Sequence, residues 1–167
     1  PPFLLLRDYL WDRLPRFEGE SVERWLFGFE VERRDRLSRL TDIFRWRAAL
    51  YRPEAVRALP PGEGVGGLLE AEQNLALAEG YFVEGLLQKA LHTSKRALAQ
   101  FMDLGDNHGR ARSYLQLALV SMGRGDLGDA TAYLGYALES SRAAHRTDLQ
   151  LAAEALRGVV SFAYGNY

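Results

Sequence analysis

The sequence predicts an all-α chain in which pairs of helices follow one another at a regular spacing. Its 167 residues carry a net charge of −1 and include no cysteine, and 47% of them are apolar, as in ordinary folded proteins. The second half repeats itself after 40 residues, and apolar side chains within each copy recur every three or four positions, which indicates helix faces. The matching positions are Leu77-Ala78 and Leu117-Ala118, Gly85 and Gly125, Ala90 and Ala130, and Ala97-Leu98 and Ala137-Leu138.

Residues 1–60 are predicted to form an N-terminal helical extension. Phe3–Leu14 has an amphipathic helical pattern that Pro15 ends, and a longer helix is predicted from Ser21 to about Tyr51. The Pro/Gly-rich stretch 60–67 is predicted to be a loop that links this extension to the repeats. Its glycines do not indicate a phosphate-binding loop, because no strand precedes them and no Gly-Lys-Ser/Thr follows.

The clearest predicted helix pair covers 111–123 and 127–144. Gly125 is expected to end the first helix, and Asp126 to cap the second. Ala118 and Ala130 are expected where the two helices cross, since small side chains let the backbones approach. A third copy of the repeat begins with Gly158 at the position of Ala118, and the given sequence ends within it.

This pattern resembles the tetratricopeptide repeat (TPR) family over about residues 67–167. In that family, helical hairpins carry a small residue in the first helix, Gly at the turn and two alanines in the second helix. Ala118, Gly125, Ala130 and Ala137 match in one copy, whereas Ser94 stands where a large apolar residue is usual. The resemblance implies a hairpin solenoid with an incomplete third repeat, which binds a protein or peptide and has no cofactor.

Residues of about 14–50 are similar to the opening of the bacterial transcriptional activator domain. The similarity lies in Leu14-Pro15-Arg16-Phe17-Glu18 and in the charged stretch around Trp25 and Arg33-Arg34-Asp35-Arg36. It implies a cytoplasmic bacterial regulator in which a DNA-binding domain precedes Pro1. The nearly neutral charge predicts no direct nucleic-acid contact from these 167 residues, and no apolar run is long enough to span a membrane.

The TPR resemblance also implies a concave partner-binding groove lined by the first helix of each pair. An apolar groove of this kind is expected to bind an amphipathic helix; filling of the groove by the chain's own N-terminal helices is an equal alternative. Asn74 and Arg112 are the only remnants of the polar clamp that some family members use for peptide carboxylates. The implied groove residues are Leu75, Glu79, Phe82, Arg112, Leu115, Leu119, Met122, Ala155, Val159 and Phe162.

No pattern in the sequence indicates catalysis or a metal site. His92, His108 and His145 lack the spacing of helical metal ligands and are interpreted as surface or capping residues. Glu70, Glu72 and Glu79 are interpreted as a solvated helix face, because no nucleophile accompanies them.

A non-catalytic interaction or signal-receiving region of a larger bacterial transcriptional regulator is therefore the leading hypothesis. The alternatives are a free-standing adaptor or scaffold protein and, more remotely, a sensor of a small ligand. Self-association through the incomplete third repeat is a further expectation, with Leu156, Val160 and Ala163 losing a neighbour that a further helix would supply.

Overall fold

The computed structural model describes residues 7–8, 11–12, 31–50 and 67–165 of the chain, with side chains of the second helical stretch described for 38–47. All the regular structure among these residues is α-helical, as predicted. The helices are α1 (Val31–Leu50), α2 (Gly67–Val83), α3 (Leu87–Asp103), α4 (Asn107–Arg124), α5 (Leu127–Ala143) and α6 (Thr147–Ala163). The chain divides into two compact units, Pro1–Val65 and Gly66–Tyr167.

In the first unit, α1 follows the predicted long helix from Val31 onward. Leu40 and Phe44 are fully buried, as their spacing predicts, and the buried Arg47 guanidinium stacks 5.2 Å from the ring centroids of both Phe44 and Trp11. The residues at 7–8 and 11–12 are helical, within the predicted helix Phe3–Leu14. The predicted helix start at Ser21 and the loop before Gly67 lie outside the described residues.

In the second unit, five helices of nearly equal length pack in succession. Each helix contacts the next one along the chain, and the first helix of each pair also contacts the first helix of the neighbouring pair, so that α2 contacts α4 and α4 contacts α6. Ala118 and Ala130 are both fully buried in one apolar cluster with residues of α5 and α6, which fits the close crossing predicted for them. A second cluster joins Ala71 and Leu75 of α2 to Ala97 and Phe101 of α3.

The turns between the helices share one backbone conformation. A residue with positive φ recurs at every twentieth position, at Gly85, Gly105, Gly125, His145 and Gly165 (φ 75°, 65°, 80°, 54° and 70°). At Gly125 the N–H donates to Met122 O at 3.0 Å, and the next N–H donates to Ser121 O at 2.9 Å, which is the Schellman arrangement that satisfies the last carbonyls of a helix. The predicted helix end at Gly125 is therefore confirmed.

The predicted cap at Asp126 is correct in position but not in chemistry. Asp126 is the residue that precedes α5, yet its side chain makes no capping hydrogen bond. Its carboxylate lies 3.1 Å from Arg124 Nε instead. The nearby guanidinium competes for the carboxylate that would otherwise accept from the first turn of α5.

Candidate functional surface

An apolar strip runs along the first helices of the successive pairs. It consists of residues at two repeat positions, and we call it the first-helix strip: Phe82, Leu119, Met122, Val159 and Phe162. Phe82, Leu119 and Met122 are half-buried, whereas Val159 and Phe162 are 53% and 68% exposed. A side chain added at Gly123 would place its Cβ 3.6 Å from Phe82 Cε2, so α2 and α4 meet closely at this end of the strip. Glu79, also half-buried, occupies the position of Leu119 on α2.

Two residues that the resemblance implied for the groove belong to the core instead. Leu75 is fully buried in the cluster that joins α2 to α3, so it offers no surface to a partner. Leu115 is half-buried and packs against the cluster of α4, α5 and α6. Ala155 of α6, by contrast, is exposed, and belongs to a face of that helix described further below.

Arg112, expected as a polar groove residue, forms a buried ion pair with Glu72. Its Nη1 and Nη2 donate to Glu72 Oε1 and Oε2, each at 2.8 Å, and the two side chains are 2% and 0% exposed. This two-point geometry matches the planar guanidinium to the carboxylate. The interpretation of Glu72 as part of a solvated helix face is wrong, because that carboxylate is enclosed between α2 and α4.

Asn74, the other expected remnant of a carboxylate clamp, also binds within the fold. Its Nδ2 donates to Gln100 Oε1 of α3 at 2.7 Å, and Asn74 is 7% exposed. Nearby, Gln116 of α4 donates to the Ala78 carbonyl of α2 at 3.4 Å. Asn74 and Arg112 thus bind neighbouring helices, and both of their neighbours come from the chain itself.

The remaining polar candidates are placed on different parts of the second unit. Glu70 accepts a 2.7 Å hydrogen bond from Arg96 at the surface. His92 is exposed and His145 forms a helix-ending turn, as interpreted from the sequence, whereas His108 is 5% exposed and therefore buried rather than superficial. Within the described part of the chain, no group of His, Asp and Glu residues is arranged to hold a metal ion.

A cluster of three tyrosines was not singled out from the sequence. Tyr114 of α4 lies with its ring centroid 6.4 Å from Tyr133 and 5.3 Å from Tyr136, both on α5. Burial, together with the nearby Asp129 carboxylate, raises the pKa of Tyr133 above its usual 10.0. The i, i+3 spacing of the two α5 tyrosines, opposite an aromatic residue in the preceding helix, is the signal that could have indicated this cluster.

None of the described helices combines the length and the apolar character that a membrane span requires. Comparison of the chain with protein-family models, with curated proteins and with solved structures found no match. The geometry of the first-helix strip and of the helix faces is therefore what bears on function.

Proposed function

We propose that residues 67–167 form a TPR-like hairpin solenoid that binds a protein partner through the first-helix strip. The observation that carries this proposal is the strip itself: apolar side chains at matching positions of α2, α4 and α6, with exposure that rises from half-buried Phe82 to 68% at Phe162. The contacts of α4 with both α2 and α6 make these positions neighbours. A continuous apolar strip on an ordinary charged surface is typical of a binding site.

The chemistry of the strip favours an amphipathic helix as the ligand. The five strip side chains carry no charge, and the buried charges beneath them, Glu72 and Arg112, already neutralise each other through two 2.8 Å hydrogen bonds. A ligand carboxylate would have to replace Glu72 on Arg112 and leave a buried charge behind, which is costly. A helix with apolar anchors three or four residues apart would instead bury the strip without disturbing that pair.

We place this surface in a cytoplasmic bacterial transcriptional regulator, as the region that receives a protein signal. The support is the resemblance of residues 14–50, of which the described part is the helix α1 (Val31–Leu50). The same strip would serve a free-standing adaptor equally well, and the gene that encodes the chain distinguishes the two. No catalytic step is part of the proposal.

The experiment is selection of helix-forming peptides from a displayed library on the 167-residue chain, followed by affinity measurement on variants. Phe82→Asp with Leu119→Asp is expected to weaken binding at least tenfold, because desolvated apolar anchors are worth about 2 kcal/mol each and about 1.4 kcal/mol is tenfold. Both side chains are half-buried, so circular dichroism must show that the double variant is folded.

The matched control is Met102→Asp, which charges a 52% exposed apolar side chain on α3, outside the strip. We expect this variant to bind the selected peptides as the wild type does. Peptides that bind the folded double variant with unchanged affinity, or that lose affinity for the Met102 variant alone, would place the working surface elsewhere.

A further inference from the structure

Helix α6 exposes the face that its counterparts α2 and α4 bury. We call this the outer face of α6; its residues are Leu151, Ala155, Gly158 and Phe162. Leu151 and Phe162 are each 68% exposed, and Ala155 and Gly158 are exposed as well. At the repeat positions of Leu151 and Gly158, α2 carries Ala71 and Ala78 and α4 carries Ala111 and Ala118, and all four alanines are fully buried.

The helix that covers each of those buried positions is the second helix of the same pair. Ala71 packs with Ala97 and Phe101 of α3, and Ala118 packs with Ala130 and Leu134 of α5. The outer face of α6 therefore has the register and the side-chain sizes of a surface that receives an antiparallel helix. Within the described part of the chain, no helix follows α6 to cover it.

Gly158 supplies an independent indication that something approaches this face. A Cβ added at Gly158 would meet no atom within 4 Å, so packing inside the chain does not require a glycine there. Glycine in the interior of a helix costs roughly 0.5–1 kcal/mol relative to alanine. A residue that weakens the helix and leaves open space outside it is explained if another backbone comes close at that point.

We propose that the outer face of α6 binds the same face of a second copy of this chain, with the two α6 helices antiparallel. The order of side chains along the face is large, small, small, large, and it reads the same in both directions. Antiparallel pairing sets Leu151 against Phe162 of the other copy, and Ala155 against Gly158, so each bulky side chain meets its complement and the small residues lie at the crossing. A face that complements itself is what a two-fold symmetric contact requires.

The charges around the face also permit two identical surfaces to meet. Its four residues are uncharged, and the nearest charges on α6 are already paired: Asp148 accepts from Arg146 at 2.9 and 3.0 Å, and Glu154 lies 3.2 Å from Arg157. No like charges are brought together at the centre of the contact, which would otherwise oppose association of identical copies. This inference goes beyond the proposed partner site, since it needs no second protein.

Cysteine cross-linking tests the arrangement directly, because the chain has no cysteine of its own. A mixture of Leu151→Cys and Phe162→Cys chains is expected to form a disulfide-linked heterodimer under mild oxidation. Either variant alone should not cross-link, since in antiparallel helices two copies of the same position lie about 16 Å apart, beyond disulfide reach. Cross-linking of Leu151→Cys with itself, without heterodimer, would overturn the antiparallel arrangement.

Sedimentation of the 167-residue chain without any partner tests the association itself. We expect a concentration-dependent dimer whose dissociation constant rises at least tenfold in Gly158→Leu. The matched control is Gly135→Leu on α5, where an added Cβ also meets no atom within 4 Å and which lies away from the face; it should dimerise as the wild type does. A wild type that stays monomeric, or equal dimerisation of all three chains, would overturn the proposal.

These outcomes can be separated from those of the peptide-binding experiment. The variants for the partner site change Phe82 and Leu119 on α2 and α4, whereas the dimer variants change α6 and α5. If Gly158→Leu lowers the melting temperature and Gly135→Leu does not, the side chain at 158 is opposed by the chain itself, and the open-space observation behind the proposal fails. The cysteine mixture then still reports whether the outer faces meet.

Discussion

Arg112 on α4 and Glu72 on α2 are joined by two 2.8 Å hydrogen bonds, and they stand at the same position of successive repeats, 40 residues apart. Each side chain is almost completely buried. Because a guanidinium and a carboxylate can form two parallel hydrogen bonds in only one relative placement, the pair fixes how α4 lies along α2. We interpret it as a device that sets the register between neighbouring repeats.

Removing one partner of this pair is expected to destabilise the second unit strongly. Glu72→Leu leaves the Arg112 charge buried without its carboxylate, which costs about 3–5 kcal/mol. The double variant Glu72→Leu with Arg112→Met should recover most of that loss, since two apolar side chains of similar size replace both charges. Urea unfolding monitored by circular dichroism gives the free energies of unfolding.

The matched control for this prediction is the surface ion pair between Glu70 and Arg96, in which the Arg96 side chain is 59% exposed. Glu70→Ala should cost no more than about 1 kcal/mol, because solvent screens an exposed pair. A Glu72→Leu variant as stable as Glu70→Ala would show that the buried pair contributes little.

The ion pair also shows what could and could not be predicted from the sequence. The repeat spacing places Glu72 and Arg112 at one position of neighbouring first helices, so opposite charges at that spacing could have indicated the contact. Whether the contact is buried depends on how closely α2 and α4 approach, which periodicity does not give. The same limit applies to Leu75, whose position on the helix is right for the groove but whose side chain is enclosed by α3.

The close approach of α3 and α4 predicts opposite effects for two glycine substitutions. A Cβ at Gly109 would lie 2.1 Å from Phe101 Cδ1, and that ring is fully buried and has no room to move. Gly109→Ala is therefore expected to destabilise the fold by about 1–3 kcal/mol through overpacking. Gly135→Ala, where the added methyl meets nothing within 4 Å, should stabilise α5 by roughly 0.5–1 kcal/mol.

Thermal unfolding of both alanine variants checks this prediction. We expect the melting temperature to fall for the variant at 109 and to rise for the variant at 135. Equal and opposite changes are not required, because the two effects have different causes. A rise in both would mean that α3 and α4 are further apart than the Phe101 contact indicates.

The regular turns predict that one position of the repeat is conformationally strained. His145 adopts φ 54°, whereas the equivalent turns at 85, 105, 125 and 165 use glycine. A side chain in this left-handed conformation costs about 1–2 kcal/mol, part of which glycine would return as extra freedom of the unfolded chain. His145→Gly should thus raise the free energy of unfolding by about 0.5–1 kcal/mol.

The reciprocal substitution gives the control. Gly125→Ala forces a side chain into φ 80° and should lower the free energy of unfolding by about 1–2 kcal/mol. Its added Cβ meets no neighbouring atom within 4 Å, so a loss there reports the backbone alone. If His145→Gly destabilises the chain, the exposed imidazole makes a contact worth more than the strain that it imposes.

The turns are also the part of the fold that the sequence predicts best. Gly125 marks a helix end because only a left-handed residue satisfies the last carbonyls of α4 without strain, and that requirement is visible in one residue. His145 was interpreted as a capping or surface residue, yet nothing in its side chain announces a left-handed backbone. Its place one repeat half after Gly125 does, once the twenty-residue spacing of the turns is known.

The last prediction concerns alkaline pH and the tyrosine cluster. Burial raises the pKa of Tyr133 above 10.0, and the Asp129 carboxylate raises it further. The unfolded chain therefore releases this proton at a lower pH than the folded chain does. The stabilisation that the neutral phenol contributes is complete below about pH 10 and is lost as the pH rises from there through the pKa of the folded protein.

Replacing Tyr133 by Phe should remove this part of the pH dependence. The free energy of unfolding, measured in urea at about pH 8 and about pH 11, should fall less in Tyr133→Phe than in the wild type, because the variant has no phenol to ionise there. Tyr136→Phe is the matched control, since it changes a neighbouring tyrosine of the same cluster that is 49% exposed. If the two variants lose stability equally between these pH values, Tyr133 ionises as readily in the folded chain as in the unfolded one, and the cluster does not shield it.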